Sequence, residues 1–361
     1  MNMRRFFLIP LVIVIVVGLV LGGCTKPAPA PTPSPSPAPT QEPIVLTYHH
    51  VDSLLSSTHQ LGHKEWAEDV ERVTRGRVKI KFYPSSTITT FDQYYDATIA
   101  DIVDIAWGFS TALPGRFPLL DIATLPMLGF ENGKMGSECV WKLYEESPEI
   151  QKELSDVKVL LLHTSDVRPL CTVSKPISTL EDMKGLKIRS AAGGEARIVE
   201  ALGGTAVLSA PGDIFQNLEK GVIDGDTMEY SGQISFGLID VTKYFTDAKL
   251  DVVVFILGMN KEKWNSLPPD IQEAIMSVSG AEGAKHFGTN FDRNGYEALA
   301  KIVRTPGKEF IILSPEERAR WAELAGPIQE DHVAKLESEG LPGREILAKI
   351  KSLIKEYKGA K

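Results

Sequence analysis

The amino-acid sequence predicts a protein of the α/β class with two domains. Its 361 residues suffice for about two domains of ordinary size. Apolar strand patterns alternate with helical patterns over residues 44–166, and a second alternation begins near residue 167. From residue 269 onward the pattern is mostly helical. Long helices at the end of such a chain are well suited to connect two α/β domains.

Residues 1–23 predict a signal peptide. Two arginines precede an apolar run over residues 6–20, which is about 15 residues long and is interrupted by Pro10. The sequence L-G-G-C ending at Cys24 resembles a bacterial lipobox, in which the cysteine is lipidated and becomes the mature N-terminus. The alternative is an uncleaved membrane anchor. Residues 24–43 are rich in proline and predict an extended linker that holds the body away from a membrane.

The first α/β segment opens with a strand over residues 44–48. Trp66, Val70 and Val73 recur at helical spacing, and the alternating sequence V-K-I-K-F predicts a half-buried strand over residues 78–82. A helix over residues 91–100, a strand ending at Trp107, a helix around residues 139–144 and the buried strand V-K-V-L-L-L-H complete this segment.

The second segment contains a capping box formed by Ser178 and Glu181, a strand ending at Arg189 and helices over residues 195–202 and 213–220. The apolar run over residues 252–257 predicts a buried strand that crosses back to the first sheet. A single long helix is expected over residues 270–303, and Ser314 begins another with proline at its first position.

Composition and motifs argue against several classes of function. The formal net charge of −8 becomes −10 without residues 1–23, which carry two arginines and no acidic residue. This acidic balance, with no basic stripe, argues against nucleic-acid binding. The catalytic motifs of hydrolases, zinc proteases, nucleotide-binding proteins and thiol oxidoreductases do not occur. We therefore expect a protein that is not an enzyme and that uses no cofactor.

Two groups of residues leave alternatives open. Cys139 and Cys171 each lie among apolar neighbours, so they form either a disulfide or two buried thiols. His59 and His63 have a spacing that can hold a metal, but no further ligand occurs at a matching interval. We favour a polar loop at the edge of a cleft over a metal site, with His49 a candidate ligand contact.

Arg189 is the leading candidate for a binding residue. It ends an apolar strand, and the small residues that follow leave space for a small molecule before a helix begins. An arginine held this way is suited to bind a carboxylate. The alternative is a surface arginine paired with an acid such as Glu195. Arg168, at the end of another strand, is a second candidate, and apolar walls are expected from Trp107, Tyr83 and Phe215, each of which could instead be core.

Several segments together resemble the solute-binding proteins of tripartite ATP-independent periplasmic (TRAP) transporters, the DctP family. The segments are G-R-V-K-I-K-F-Y-P-S-S-T, K-P-I-S-T-L-E-D-M-K-G-L-K-I-R, A-L-G-G-T-A-V, L-E-K-G-V-I-D-G and M-N-K-E-K-W-N-S-L-P-P-D-I-Q. The resemblance implies a two-lobe, periplasmic-binding-protein-like (Venus flytrap) fold with mixed sheets, crossing hinge strands and a long inter-domain helix. It also implies lobe I over residues 44–166 and about 254–293, and lobe II over residues 167–253 and about 294–361.

The resemblance further implies which residues bind the ligand. The family's principal carboxylate-binding arginine falls on Arg189 and a less general one falls near Arg168. Where many members carry an asparagine this chain has Glu229, which would favour a ligand with a hydrogen-bond donor or a positive group.

The implied function is capture of a small organic acid by lobe closure and its delivery to the small and large TRAP membrane subunits. The protein would lie outside the cytoplasm, anchored by its N-terminal lipid or periplasmic, and a monomer is favoured. A sensor component and a secreted α/β hydrolase are the alternatives.

Overall fold

The computed structural model describes residues 42–360. The predicted signal peptide, Cys24 and the linker as far as residue 41 lie outside the described residues. The strands of the described part are β1 (Ile44–His49), β2 (Val78–Tyr83), β3 (Ile105–Phe109), β4 (Val157–Thr164), β5 (Leu170–Thr172), β6 (Lys187–Ser190), β7 (Thr205–Leu208), β8 (Gly225–Asp226), β9 (Tyr244–Asp247), β10 (Val254–Asn260) and β11 (Glu309–Ile312).

The α-helices lie between and after these strands. Within residues 42–360 they are α1 (Lys64–Val73), α2 (Tyr94–Ile99), α3 (Gly133–Glu145), α4 (Pro148–Glu153), α5 (Gly194–Ala201), α6 (Ile214–Glu219), α7 (Tyr230–Ser235), α8 (Lys261–Ser266), α9 (Pro269–Ser277), α10 (Gly280–Arg304), α11 (Pro315–Ser338) and α12 (Gly343–Gly359).

The strands form two mixed sheets, so the predicted α/β fold with two lobes is confirmed. The first sheet has the order β2-β1-β3-β10-β4 and the second has the order β11-β9-β5-β8-β6-β7. Strand β10 is the predicted apolar run, and it pairs antiparallel with both β3 and β4 of the first sheet. The first sheet is therefore mixed because β10 runs antiparallel to its neighbours.

Two chain segments cross between the sheets side by side. The first runs from β4 to β5 and the second runs from β9 to β10. The backbone N–H of Arg168 donates to the carbonyl of Asp251 at 3.0 Å, and that of Leu250 donates to the carbonyl of Arg168 at 2.9 Å. The backbone N–H of Ser165 donates to the carbonyl of Val253, and the backbone N–H of Val253 donates to the hydroxyl of Ser165, both at 3.0 Å. These bonds hold the crossing segments together at the point where both sheets meet.

Helix α10 is the third connection between the sheets. Its residues Phe287 and Phe291 pack in the large apolar cluster of the first sheet, whereas Ala298 and Ile302 pack in a cluster of the second sheet with Phe245. This is the expected long inter-domain helix, but it is shorter than the single helix predicted over residues 270–303. The helix is broken ahead of Gly280, which has a φ of +54°, and residues 269–277 form the separate helix α9.

Two further details differ from the sequence prediction. The capping box is formed by Thr179 and Asp182 rather than by Ser178 and Glu181, because the helical turn begins one residue later. We predicted that residues 294–361 belong to lobe II, yet Ile346, Ile350 and Leu353 pack in the cluster of the first sheet. An amphipathic helix packs wherever its apolar face is covered, and α3 offers that surface. The remaining lobe boundaries stay predictions.

Cys139 and Cys171 are both buried as free thiols and lie in separate apolar clusters. The structure therefore has the second of the two arrangements that the sequence left open. Among the described residues, no helix has both the length and the apolar character that crossing a bilayer requires.

We expect Gly288→Ala to destabilise the protein, because α10 approaches α3 most closely at this glycine. A Cβ at position 288 would lie 2.5 Å from the carbonyl oxygen of Gly133 and would also meet Ser137. The free energy of unfolding should fall by about 1–3 kcal/mol, measured by urea denaturation.

Gly359→Ala is the matched control, because this helical glycine has no neighbour within 4 Å of an added Cβ. It should leave stability unchanged or raise it by up to about 1 kcal/mol. Equal effects of the two substitutions would contradict the close packing of α3 and α10.

Candidate functional site

A cavity of about 490 Å³ lies between the two sheets. Residues of the first sheet and its loops line one side, including Asp52, Trp107 and Phe109. The other side is lined by residues of the second sheet and its loops, including Arg189 and Glu229. A volume of this size is typical of a small-molecule site.

Arg189 is held at the cavity by the strand on which it lies. Strand β6 lies between β8 and the edge strand β7 and pairs parallel with both. The Nε and Nη2 atoms of Arg189 donate to the carbonyl oxygen of Ser209 at 3.0 and 2.9 Å. Its Nη1 lies 4.0 Å from Glu195, which exceeds hydrogen-bond distance. The guanidinium is therefore fixed in orientation, while Nη1 and the second N–H of Nη2 remain available for a ligand.

Ser190, Ala191 and Ala192 also line the cavity, as their small side chains led us to expect. Arg189 itself is not the surface arginine of the alternative interpretation, because its side chain is only 5% exposed. Glu195 nevertheless lies beside its guanidinium, so the alternative was correct about the neighbouring acid.

Arg168 is compensated by carboxylates within the described part of the protein. Its Nη1 donates to Glu195, and its Nε lies 3.5 Å from Asp251 and 3.8 Å from Glu229. Arg168 and Asp251 lie on the two crossing segments, whereas Glu195 lies in the first turn of α5 and Glu229 directly precedes α7. The cluster of these four residues, here called the hinge ion cluster, thus joins the crossing segments to the second sheet's helices.

Burial governs the protonation of the acids around this cluster. It raises the pKa of Asp226 to about 7 and that of Asp251 to about 7, and it also raises the pKa of Glu229. Glu195 differs, because although burial raises its pKa, the two arginines and Thr227 together lower it below the usual value. Glu195 is therefore the carboxylate most firmly ionised beside the arginines.

Aromatic side chains form much of the cavity wall on the side of the first sheet. Trp107 stacks on Phe255 with ring centroids 4.4 Å apart, and Phe255 stacks on Phe291 at 5.3 Å. The indole N–H of Trp107 donates to His163 at 2.7 Å, so its ring is fixed. Of these residues the sequence indicated Trp107 alone. Phe109 lies two positions further along the same strand and therefore faces the same side, a signal that sequence reasoning overlooked.

Three predicted contacts lie elsewhere. Among the described residues that line the cavity, Tyr83, Phe215 and His49 do not occur. Tyr83 ends the edge strand β2, and His49 ends β1, between Tyr83 of β2 and Ala106 of β3. Phe215 packs on α6 in a small apolar cluster with Leu238. His49 was predicted from its place at the end of the first strand, and a side chain there can face either side of the sheet.

Comparison with known proteins decides the family. Residues 49–336 match the family described as bacterial extracellular solute-binding protein, family 7 (DctP). The chain belongs to this family. Its members are the solute-binding proteins of TRAP transporters, so this chain is an extracytoplasmic binding protein and not an enzyme.

Relatives of this TRAP solute-binding protein cover most of its length. The outer membrane transporter protein TsaT of Comamonas testosteroni is 29% identical, over 79% of this chain and 84% of the relative. A marine metagenome TRAP solute-binding protein specific for aromatic acid ligands, solved with metahydroxyphenylacetate, is 26% identical with a TM-score of 0.82, over 87% of this chain and 99% of that one. A TRAP solute-binding protein of Rhodoferax ferrireducens, solved with copurified benzoate, is 25% identical with a TM-score of 0.80, over 88% and 99%.

We expect Asp226→Asn to flatten the pH dependence of stability. The unfolded-state pKa is near 3.8 and the folded-state pKa is about 7, so the folded state binds more protons between these values. The contribution of Asp226 to stability is thus fully present at low pH and is lost as the pH rises toward 7. The amide of the variant stays neutral at every pH, so its free energy of unfolding should fall less between pH 5 and pH 8.

Urea denaturation at several pH values measures this slope. Asp213→Asn is the control, because Asp213 is exposed. The same slope in wild type and Asp226→Asn would show that Asp226 does not hold its proton in the folded state.

Proposed function

We propose that this TRAP solute-binding protein captures a monocarboxylate with an aromatic or other bulky apolar body. The observation that carries the proposal is the position of Arg189, a fixed and buried guanidinium at a cavity walled by Trp107, Phe109, Phe255 and Phe291. A bidentate arginine–carboxylate pair in such a site gives both affinity and orientation. The aromatic acids found with two relatives support the same class of ligand.

The hinge ion cluster argues for one carboxylate rather than two. Arg168 already faces Glu195, Asp251 and Glu229 at short distances, so its charge is offset without a ligand. A second ligand carboxylate near Arg168 would meet the ionised Glu195 and be repelled. We infer that Arg168 holds the acids in place and that Arg189 binds the ligand.

Glu229 gives the site a second polar group. Its Oε2 has no hydrogen-bond partner among the described residues, and Glu229 lines the cavity. A hydroxyl or ammonium group on the ligand would satisfy this oxygen. We therefore propose that ligands with such a donor bind more tightly than those without one, which a comparison of 3-hydroxybenzoate with benzoate tests; equal affinities would contradict it.

Binding would shift the two lobes toward a closed form, which then docks on the small and large TRAP membrane subunits. A sensor component with the same site is the alternative, and copurification of the membrane subunits with the protein would separate the two.

We also propose that Cys24 carries a lipid that anchors the protein outside the cytoplasm. Cys24→Ser should then abolish labelling by a fatty acid, and continued labelling would contradict this anchor.

We expect Arg189→Ala to weaken binding of an aromatic monocarboxylate by at least about a hundredfold. Loss of one partner from a buried ion pair costs roughly 3–5 kcal/mol. A thermal-shift screen with benzoate, 3-hydroxybenzoate, succinate and the uncharged benzamide first selects the ligand, because a bound ligand raises stability. Calorimetry then gives the affinity of each variant.

Two further variants serve as comparisons. Arg189→Lys should also lose much of the affinity, because lysine cannot form the bidentate pair. Arg197→Lys is the control, because Arg197 is largely exposed and pairs with Asp331. Normal affinity in both Arg189 variants, each shown to be folded, would exclude Arg189 as the anchor, and preference for succinate would exclude the monocarboxylate class.

A further inference from the structure

We propose that His50, Asp52 and His63 form a binding site for a transition-metal ion such as Zn²⁺ at the wall of the cavity. One ring nitrogen of each histidine and one oxygen of Asp52 lie within 4.8 Å of one another. These residues, here called the His–Asp cluster, have no part in the hinge ion cluster. The inference does not depend on which organic acid the protein binds.

The fold of the chain after β1 brings these side chains together. His50 directly follows β1, and the loop that contains Asp52 returns the chain to the helical turn that ends at His63, where α1 begins. The rings of His50 and His63 stack with centroids 4.3 Å apart and an interplanar angle of 9°. Both histidines are fully buried, whereas Asp52 is partly exposed and lines the cavity.

Other polar groups orient the imidazoles. The Oη of Tyr48 lies 2.6 Å from Nδ1 of His63, and Nδ1 of His59 lies 3.0 Å from Nε2 of His50. Hydrogen-bonded partners of this kind fix the ring orientation of metal-binding histidines. Nε2 of His63 lies 3.1 Å from Oδ2 of Asp52. Without a metal, Nε2–H donates to Asp52; with a metal, the proton lies on Nδ1 and donates to Tyr48, which leaves the Nε2 lone pair for the ion.

The donor set indicates the class of metal. Imidazole nitrogen and carboxylate oxygen suit Zn²⁺, Ni²⁺ and Cu²⁺, whereas Mg²⁺ and Ca²⁺ prefer oxygen ligands alone. Bonds of about 2.0–2.1 Å in a tetrahedral site place donor atoms about 3.3 Å apart. The donor atoms lie within 4.8 Å of one another, so metal binding requires them to move closer together and the stacked rings of His50 and His63 to turn until the in-plane lone pair of each points at the ion. Three protein ligands leave one position for a water or for an oxygen of a solute in the cavity.

The test is calorimetric titration of Zn²⁺ into the tag-free chain after removal of metals with a chelator. All proteins carry Cys24→Ser, so that a terminal thiol contributes no ligand. We expect saturable binding of one Zn²⁺ per chain and no comparable binding of Mg²⁺. Asp52→Asn, which keeps the shape of the side chain, should weaken Zn²⁺ binding at least about tenfold, and His63→Gln should abolish it.

His286→Gln is the matched control, because His286 lies near Glu65 at the surface, outside the His–Asp cluster. It should bind Zn²⁺ as the parent protein does. Absence of saturable binding in the parent protein would overturn the proposal, and so would parental affinity in Asp52→Asn. Should His63→Gln fail to fold, Asp52→Asn decides the question alone.

Discussion

The buried charge of Arg168 constrains the packing at the centre of this protein. A guanidinium removed from water is costly unless acids surround it at short distance. Here the acids come from separate parts of the chain, Asp251 from the second crossing segment, Glu195 from α5 and Glu229 from the turn before α7. The cluster can form only when the crossing segments pair and both helices pack correctly. Because Arg168 and Glu229 also line the cavity, the same requirement fixes this part of the cavity wall.

This compensation separates the roles of the two arginines. Arg189 is oriented by a neutral carbonyl oxygen, that of Ser209, rather than by an acid at hydrogen-bond distance. A ligand carboxylate can therefore pair with Arg189 without displacing a protein carboxylate. An aromatic wall lies on the opposite side of the cavity, and apolar surroundings lower the local dielectric and so strengthen such a pair. Arg168 is thus paired within the protein, whereas we propose that Arg189 pairs with the ligand.

Most of the fold was predictable because it depends on local periodicity. Alternation identified strands such as β2, and the uninterrupted apolar run at residues 252–257 identified β10 as a buried return strand. The break before Gly280 and the packing of α12 on α3 were not predictable, since each depends on a local backbone angle or on a surface made by distant residues. Arg189, predicted from its strand, and Glu229, indicated by the family resemblance, both line the cavity. The sequence did not indicate that three acids gather around Arg168. Tyr83, Phe215 and His49 do not line the cavity among the described residues, because one sequence does not reveal which surfaces of the fold form the cavity wall.

A crystal structure of the protein with a bound aromatic monocarboxylate, such as 3-hydroxybenzoate, tests the central claim most directly. The account predicts that the ligand carboxylate accepts hydrogen bonds from Arg189 while Arg168 keeps its bond to Glu195. A carboxylate bound to Arg168, with Glu195 displaced, would contradict it.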